Sequence, residues 1–401
     1  MNAKWAANIE DLRRIAISYL PLFLSEFVET GGGSGLCIRR NIEAFDRYSF
    51  LTRSIVDVST LSSDTKIFGH RYAKPFGFSA VANLGLFCRT PGQADLFLAE
   101  TAKRENVPYI LSNHSTNSIE EVARIAPDHV WAQLYPVTED RITDSLIGRA
   151  RDAGLKVLVL TVDFPIANRS ETARRRGVSY ATGADWSRWP SILADLLRHP
   201  RWTMNYLRSG GMPRMGSFVE YLPKGSSGVA LGELLCRIWP KNLSWGDIER
   251  IRKSWPGRLV LKGLCDPDEV IRARAVGADA VTVSNHGGNK LDCLPASLDL
   301  LAMVRAAVGP TFPLFLDGGI RRGSDILTAL ALGADFCFMG RPALYGLAAG
   351  GRVGAQRVFD ILSDELRYTQ AMVGCPDCKS IDRNAIMDRE QIRSGIQDSS
   401  S

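Results

Sequence analysis

Eight short apolar runs, each closed by a polar residue or glycine and most followed by helical periodicity, govern what this chain of 401 residues can fold into. They occupy 76–81, 107–112, 130–135, 157–163, 259–262, 280–284, 312–317 and 335–340. Strands this apolar are covered on both faces, which points to a parallel sheet with helices outside it. Helical patterns at 93–105, 118–126, 142–153, 266–275, 297–307 and 324–332 alternate with the runs. Eight such units predict an α/β fold, the closed (β/α)8 barrel, with a doubly wound open sheet as the alternative. A barrel with insertions absorbs the whole length, so 1–395 reads as one domain. At 45% hydrophobic and 23% charged, the composition excludes disordered, collagenous and coiled-coil chains.

Outside the barrel rhythm, 5–30 reads as one or two capping helices that start near Asn8 and stop at Gly31 to Gly33, and 353–372 reads as a long amphipathic helix. About 90 residues separate the fourth run from the fifth, so 164–257 is an insertion. It holds Trp186, Trp189 and Trp202 with Arg188, Arg198, Arg201 and Arg208 among leucines, then a stretch rich in Gly, Pro and Ser. Such a mixture suits an interfacial membrane contact through 186–228; an active-site lid or an oligomer contact explains it too. The net charge of +6 is too small and too spread to argue for nucleic acid, and suits an anionic cofactor or substrate or acidic lipid. No signal peptide or run of 18 apolar residues is found, and eight scattered cysteines read as reduced thiols. The expectation is a cytoplasmic protein, with peripheral attachment to the inner face of the membrane as its variant. The Cys375 to Cys378 pair lacks a second pair or nearby histidines and is read as neither metal nor redox site.

In such a barrel the chemistry belongs at the C-terminal ends of the strands. The polar residues there are Ser79, Ser112, Gln133 with Tyr135, Thr161 with Asp163, Lys262, Ser284 with His286, Asp317, and Gly340 with Arg341. One alone would be a helix cap; together they outline a site. Asp317-Gly318-Gly319-Ile320-Arg321 and Gly340-Arg341 follow runs seven and eight, where barrels hold phosphate on backbone N–H groups and arginine forks. Lys262, aimed into the mouth, needs an anionic partner. Of five histidines only His286 directly follows a buried run, and Asp163 is the carboxylate that would orient it as a general base. His114 and His129 read as polar surface.

The segment Ser284-Asn285-His286-Gly287-Gly288-Asn289-Lys290-Leu291-Asp292 resembles the signature of the FMN-dependent α-hydroxy-acid dehydrogenase and oxidase family. Trp131-Ala132-Gln133-Leu134-Tyr135, Leu160-Thr161-Val162-Asp163, Leu261-Lys262-Gly263, Leu316-Asp317-Gly318-Gly319 and Leu344-Tyr345-Gly346 extend the likeness over nearly the whole chain. His199-Pro200-Arg201-Trp202 is similar to the mandelate dehydrogenase branch, whose bacterial members use the insertion to sit on the membrane. The resemblance implies FMN over the barrel mouth. Ser79, Ala80, Ser112, Gln133 and Thr161 would touch the flavin ring or its edge, and Lys262 its N1 and O2. Ser284 would hold the ribityl side, and Asp317, Gly318, Gly319, Arg321, Gly340 and Arg341 the ribityl and phosphate. His286, paired with Asp163, would take the substrate's hydroxyl proton as hydride leaves for the flavin, with Tyr135 steadying the oxygen. A homotetramer is implied as well.

The departures concern the substrate end. Family members clamp the substrate carboxylate with two arginines and a tyrosine; the corresponding positions here are Asn289, Ser170 and Phe27. Arg169 or Arg174 is the neighbour that would compensate. The usual proline and threonine of the first strand loop are Phe78 and Ser79. The expectation is an intact flavin and base apparatus that oxidises a CH–OH or CH–NH2 carbon of something other than a simple free 2-hydroxy acid, small or borne on a carrier or peptide, in a biosynthetic pathway. Asn289 also resembles the mycofactocin-maturation branch. The alternatives are an L-2-hydroxy-acid dehydrogenase of mandelate or lactate type, and a flavin binder without catalysis.

Overall fold

All eight apolar runs form parallel strands, and the strands close on themselves. The structure, a computed structural model, describes residues 2–166, 171–176, 178–179, 183–184, 186–211, 215–223, 226, 228–239 and 241–389. The barrel strands are β1 (Phe76–Phe78), β2 (Tyr109–Leu111), β3 (Val130–Leu134), β4 (Val157–Thr161), β5 (Arg258–Leu264), β6 (Ala280–Ser284), β7 (Leu314–Asp317) and β8 (Phe336–Met339). Closure of β8 onto β1 removes the open-sheet alternative. The six helical patterns appear as Ala94–Glu105, Ile119–Ile125, Asp140–Asp152, Pro267–Ala275, Ser297–Val308 and Gly323–Ala331. The second begins where Ser118 and Glu121 form a reciprocal capping box. The long C-terminal helix is Arg352–Val373.

Register sets the height of the site. Lys262 pairs with Thr161 across β5 and β4, and Ser284 with Asp317 across β6 and β7, so these polar residues share the rim. Below them the interior is filled by Trp131, Phe315, Phe336 and Phe338, with Ile110, Val159 and Val260. Trp131 and Phe338 meet edge to face at 5.4 Å between ring centroids. The far end is closed by the hairpin Thr65–Ile67 and His70–Tyr72, whose two-residue turn, Phe68 and Gly69, has the positive φ values (52° and 87°) that a tight hairpin demands. Tyr72 Oη accepts from Trp131 Nε1 at 3.2 Å, tying plug to barrel.

The N-terminal segment holds more than capping helices. Ile9–Tyr19 starts at Asn8, whose side chain accepts from Asp11 N, and Leu22–Thr30 follows. A third helix, Leu36–Asp46, is absent from the sequence expectation. Gly31 to Gly33 do more than stop a helix. A Cβ on Gly31 would lie 2.5 Å from Gly288 O, and one on Gly32 2.3 Å from Lys290 O, so only glycine lets this strand of chain rest on the 286–292 loop. Within 164–257 the helix Trp245–Ser254 leads directly into β5. Trp202 is also reassigned: it is buried, and its Nε1 donates to Leu86 O at 2.8 Å. The side chain of Trp186 lies outside the described residues.

Trp131→Ala empties the centre of the plug and should cost about 3–5 kcal/mol of stability. Urea unfolding followed by far-UV circular dichroism measures this; an unchanged midpoint would contradict the role given to the plug.

Candidate active site

Asp163 and His286 each stand two residues beyond the end of a strand, β4 and β6, at the same rim. Asp163 comes close because β5 has an irregularity in register at Gly263. A Cβ there would lie 2.4 Å from Asp163 Cγ, and φ is +105°, so glycine is required on both counts. His286 has φ of 59°, an uncommon left-handed conformation for a side chain of this size, followed by left-handed Gly287 and Gly288. Such a backbone persists only when its surroundings over-determine it. Here His286 N donates to Ser284 Oγ at 3.1 Å. The neighbouring Asn285 exchanges two 2.8 Å hydrogen bonds with Asn41 of helix Leu36–Asp46. Further along, Asp292 Oδ2 accepts from Ser34 N and Ser34 Oγ.

So placed, His286 Nδ1 lies 3.0 Å from both oxygens of Asp163, and Nε2 lies 3.0 Å from Tyr135 Oη. A carboxylate on Nδ1 fixes the proton there, leaving the Nε2 lone pair to accept from the phenol. Burial pushes His286 below its ordinary value, against the opposing pull of Asp163, with Lys290 and Lys262 adding to the depression. The imidazole is therefore neutral and basic at neutral pH. Burial alone would raise Asp163, but His286, Lys262 and Lys290 hold it at about 2. Burial, with Asp163 and Asp317, pushes Tyr135 well above 10, so it remains a donor.

Around this group the sequence-expected residues form a connected polar floor. Lys262 Nζ reaches Asp317 Oδ2 at 2.9 Å and Ser284 Oγ at 3.1 Å, while Ser79 Oγ donates to the same Asp317 oxygen at 2.5 Å. Burial works against the Lys262 charge, yet Asp317 and Asp163 win and raise its pKa. Gln133 Nε2 donates to Thr161 Oγ1 at 3.0 Å, and Gln133 Oε1 accepts from Asn113 N. Ser112 Oγ accepts from His114 N, and Ala80 is half-buried at the edge. Arg321 and Arg341 line one cavity of about 310 Å³ with Arg13, Glu29 and Tyr345. Burial and the charge of Arg321 lower Arg341 to about 10, against the opposing pull of Tyr345, Glu29 and Asp317. Arg341 is fastened by Val28 O, Gly287 O and the Asn289 carboxamide. A cationic cavity beside a buried lysine and a ring of amide and hydroxyl groups fits a cofactor with a phosphate and a hydrogen-bonding ring. Gly318 and Gly319 have φ of +124° and +86°. Gly319 serves packing: its Cβ would lie 2.0 Å from Asn41 O. At Gly340 a Cβ would meet only Val81, at 3.4 Å.

At the substrate end, Phe27 sits on helix Leu22–Thr30 next to Val28, and Asn289 faces Arg341. Ser170, Arg169 and the side chain of Arg174 lie outside the described residues. The sequence reading missed an aromatic wall: Phe164 stacks on Trp239 at 4.4 Å, and Tyr135 packs 5.6 Å from the same indole. His114 is a correction. It is buried, stacks on Tyr135 at 5.3 Å, and is lowered by burial to about 4. Its position two residues past Ser112, at a strand end, was the available signal.

The FMN-dependent dehydrogenase family matches residues 16–388. An (S)-mandelate dehydrogenase of Pseudomonas putida is 33% identical over 374 residues, spanning 93% of this chain and 92% of its own. An L-lactate dehydrogenase of Caulobacter vibrioides is 31% identical, spanning 96% and 98%. Among solved structures, the monotopic membrane protein (S)-mandelate dehydrogenase superposes with a TM-score of 0.88 at 31% identity, over 96% of this chain and all of that one. The chain belongs to the FMN-dependent dehydrogenase family, α-hydroxy-acid oxidoreductases on a (β/α)8 barrel, and FMN is its cofactor.

Proposed function

We propose that the chain oxidises a 2-hydroxy acid of the mandelate or lactate kind. The observation that carries this is a neutral His286 held between Asp163 and Tyr135 at the rim of a barrel built for FMN. Bound FMN supplies the hydride acceptor. His286 Nε2 takes the hydroxyl proton, and Asp163, ionised down to about pH 2, stabilises the imidazolium so formed. Tyr135 donates to the substrate oxygen and holds it at Nε2. Lys262, Gln133, Thr161, Ser79 and Ser112 would hold the flavin ring, and Arg321 and Arg341 the phosphate end. The mandelate and lactate dehydrogenases that span over nine-tenths of the chain support a hydroxy acid over the masked or amine substrate expected from the altered clamp. That second reading keeps one observation in its favour: the Asn289 amide is turned to Arg341 and offers no charge to a carboxylate.

The helix Trp189–Arg198 leaves Trp189, Leu193 and Leu197 exposed along one face, and Met204 and Leu207 are exposed on the next helix. Arg188, Arg198, Arg201 and Arg208 are exposed around them. We infer peripheral contact with an acidic bilayer here, as an apolar face rimmed by cations would make. No helix among the described residues is long and apolar enough to cross a membrane.

His286→Gln should leave the protein yellow while slowing anaerobic flavin reduction by L-mandelate or L-lactate about 10²–10⁴-fold. A wild-type rate in this variant would remove His286 as the base, and bleaching by the amides or amines alone would remove the hydroxy acid. Because the base must be neutral and burial lowers its pKa, the reduction rate at saturating substrate should hold constant through neutral pH and fall only below the usual histidine value of 6.5; stopped-flow traces across pH 5–8 would report a midpoint above 6.5 if the assignment were wrong. Co-sedimentation with phosphatidylglycerol vesicles should be lost in Leu193→Ser/Leu197→Ser, and equal sedimentation of both proteins would refute the membrane face.

A further inference from the structure

The signature loop carries a second charge that the proposed chemistry leaves unused. Lys290, four residues after the base, has its Nζ shut off from solvent and without a hydrogen-bond partner among the described residues. It lies over the ring of Phe164, 2.7 Å from the centroid. Trp239 stacks on Phe164 at 4.4 Å and 17°, so indole and ammonium occupy opposite faces of that ring. The His286 ring is 5.7 Å from Phe164. Base and ammonium thus border one aromatic side chain, itself next in sequence to Asp163.

An aromatic face offsets part of the cost of burying an ammonium, but a buried cation ordinarily has an anion as well. Asp163 does not accept a hydrogen bond from it; both its oxygens lie 3.0 Å from His286 Nδ1. Burial, reinforced by repulsion from Lys262, outweighs the attraction of Asp163 and lowers Lys290 to about 7. An arriving carboxylate would restore full charge. The nearby cation Arg341 is engaged by Val28, Gly287 and Asn289.

We propose that Lys290 Nζ receives the substrate's carboxylate, as a single point contact in place of an arginine fork; the assignment rests on the 2-hydroxy-acid reading above. Lysine lacks the planar bidentate geometry of arginine, so the acid is held by charge with looser orientation. This deepens the reading: the altered clamp positions do not leave the pocket without a cation.

The test uses unreactive ligands on the FMN-loaded protein, read as perturbation of the oxidised flavin spectrum. Phenylacetate should bind wild type more tightly than phenylacetamide. Lys290→Met, which removes a buried charge and so does not threaten folding, should weaken phenylacetate about ten- to hundredfold and leave phenylacetamide within about twofold. Lys290→Arg should recover most of the preference for the acid. Equal loss of both ligands, or of neither, in Lys290→Met overturns the proposal. Since nothing turns over, charge-selective binding in a wild type that neither mandelate nor lactate can reduce would uphold Lys290 as an anion site while sinking the hydroxy-acid reading.

Discussion

The contact between Asp163 and His286 spans two strand ends separated in the barrel by β5, and the rest of the site is arranged around it. Gly263 on the intervening strand makes room for it, since any side chain there would strike the carboxylate. The hydrogen bond to Asp163 fixes which imidazole nitrogen is basic, and that nitrogen fixes where Tyr135 points its proton. Without the carboxylate, burial alone would govern the imidazole, and the cation formed by proton transfer would find no counter-charge.

Beneath that contact, the barrel separates function from stability by height. The aromatic plug around Trp131 draws on Tyr72 for its polar contact, and the rim above it carries the polar network of Lys262, Asp317, Ser284 and Ser79. Register puts Lys262 level with Thr161 and Ser284 level with Asp317, so the division follows from where each strand stops. The rim is also where charge is concentrated: Lys262, Lys290, Arg321 and Arg341 surround few carboxylates, an electrostatic imbalance suited to anionic ligands.

The barrel was legible because its strands are short, apolar and buried on both faces, and β6 matches its expected bounds residue for residue. His286, Asp163 and Lys262 were legible because they close such runs. Helix Leu36–Asp46 was not: a left-handed Gly35 opens it without a side-chain cap, so the usual start signal is missing. Trp202 resembled an interfacial tryptophan because composition carries no direction; its indole turns inward to Leu86 O. Lys290 carries no signal in the sequence, because what distinguishes it, burial without a partner, exists only in three dimensions.

The glycines at 31–33 rest on a loop about 250 residues further along the chain, and the loop's Gly288 carbonyl accepts from Gly32 N. Closing so long a loop is entropically slow and becomes favourable only after the intervening strands have assembled. Residues 31–33 therefore support the left-handed turn that aims the base only through a contact that spans most of the chain. Opening that contact would leave the pairing of the barrel strands untouched while removing a support of the turn that aims the base, so the order of the site depends on the first tenth of the chain.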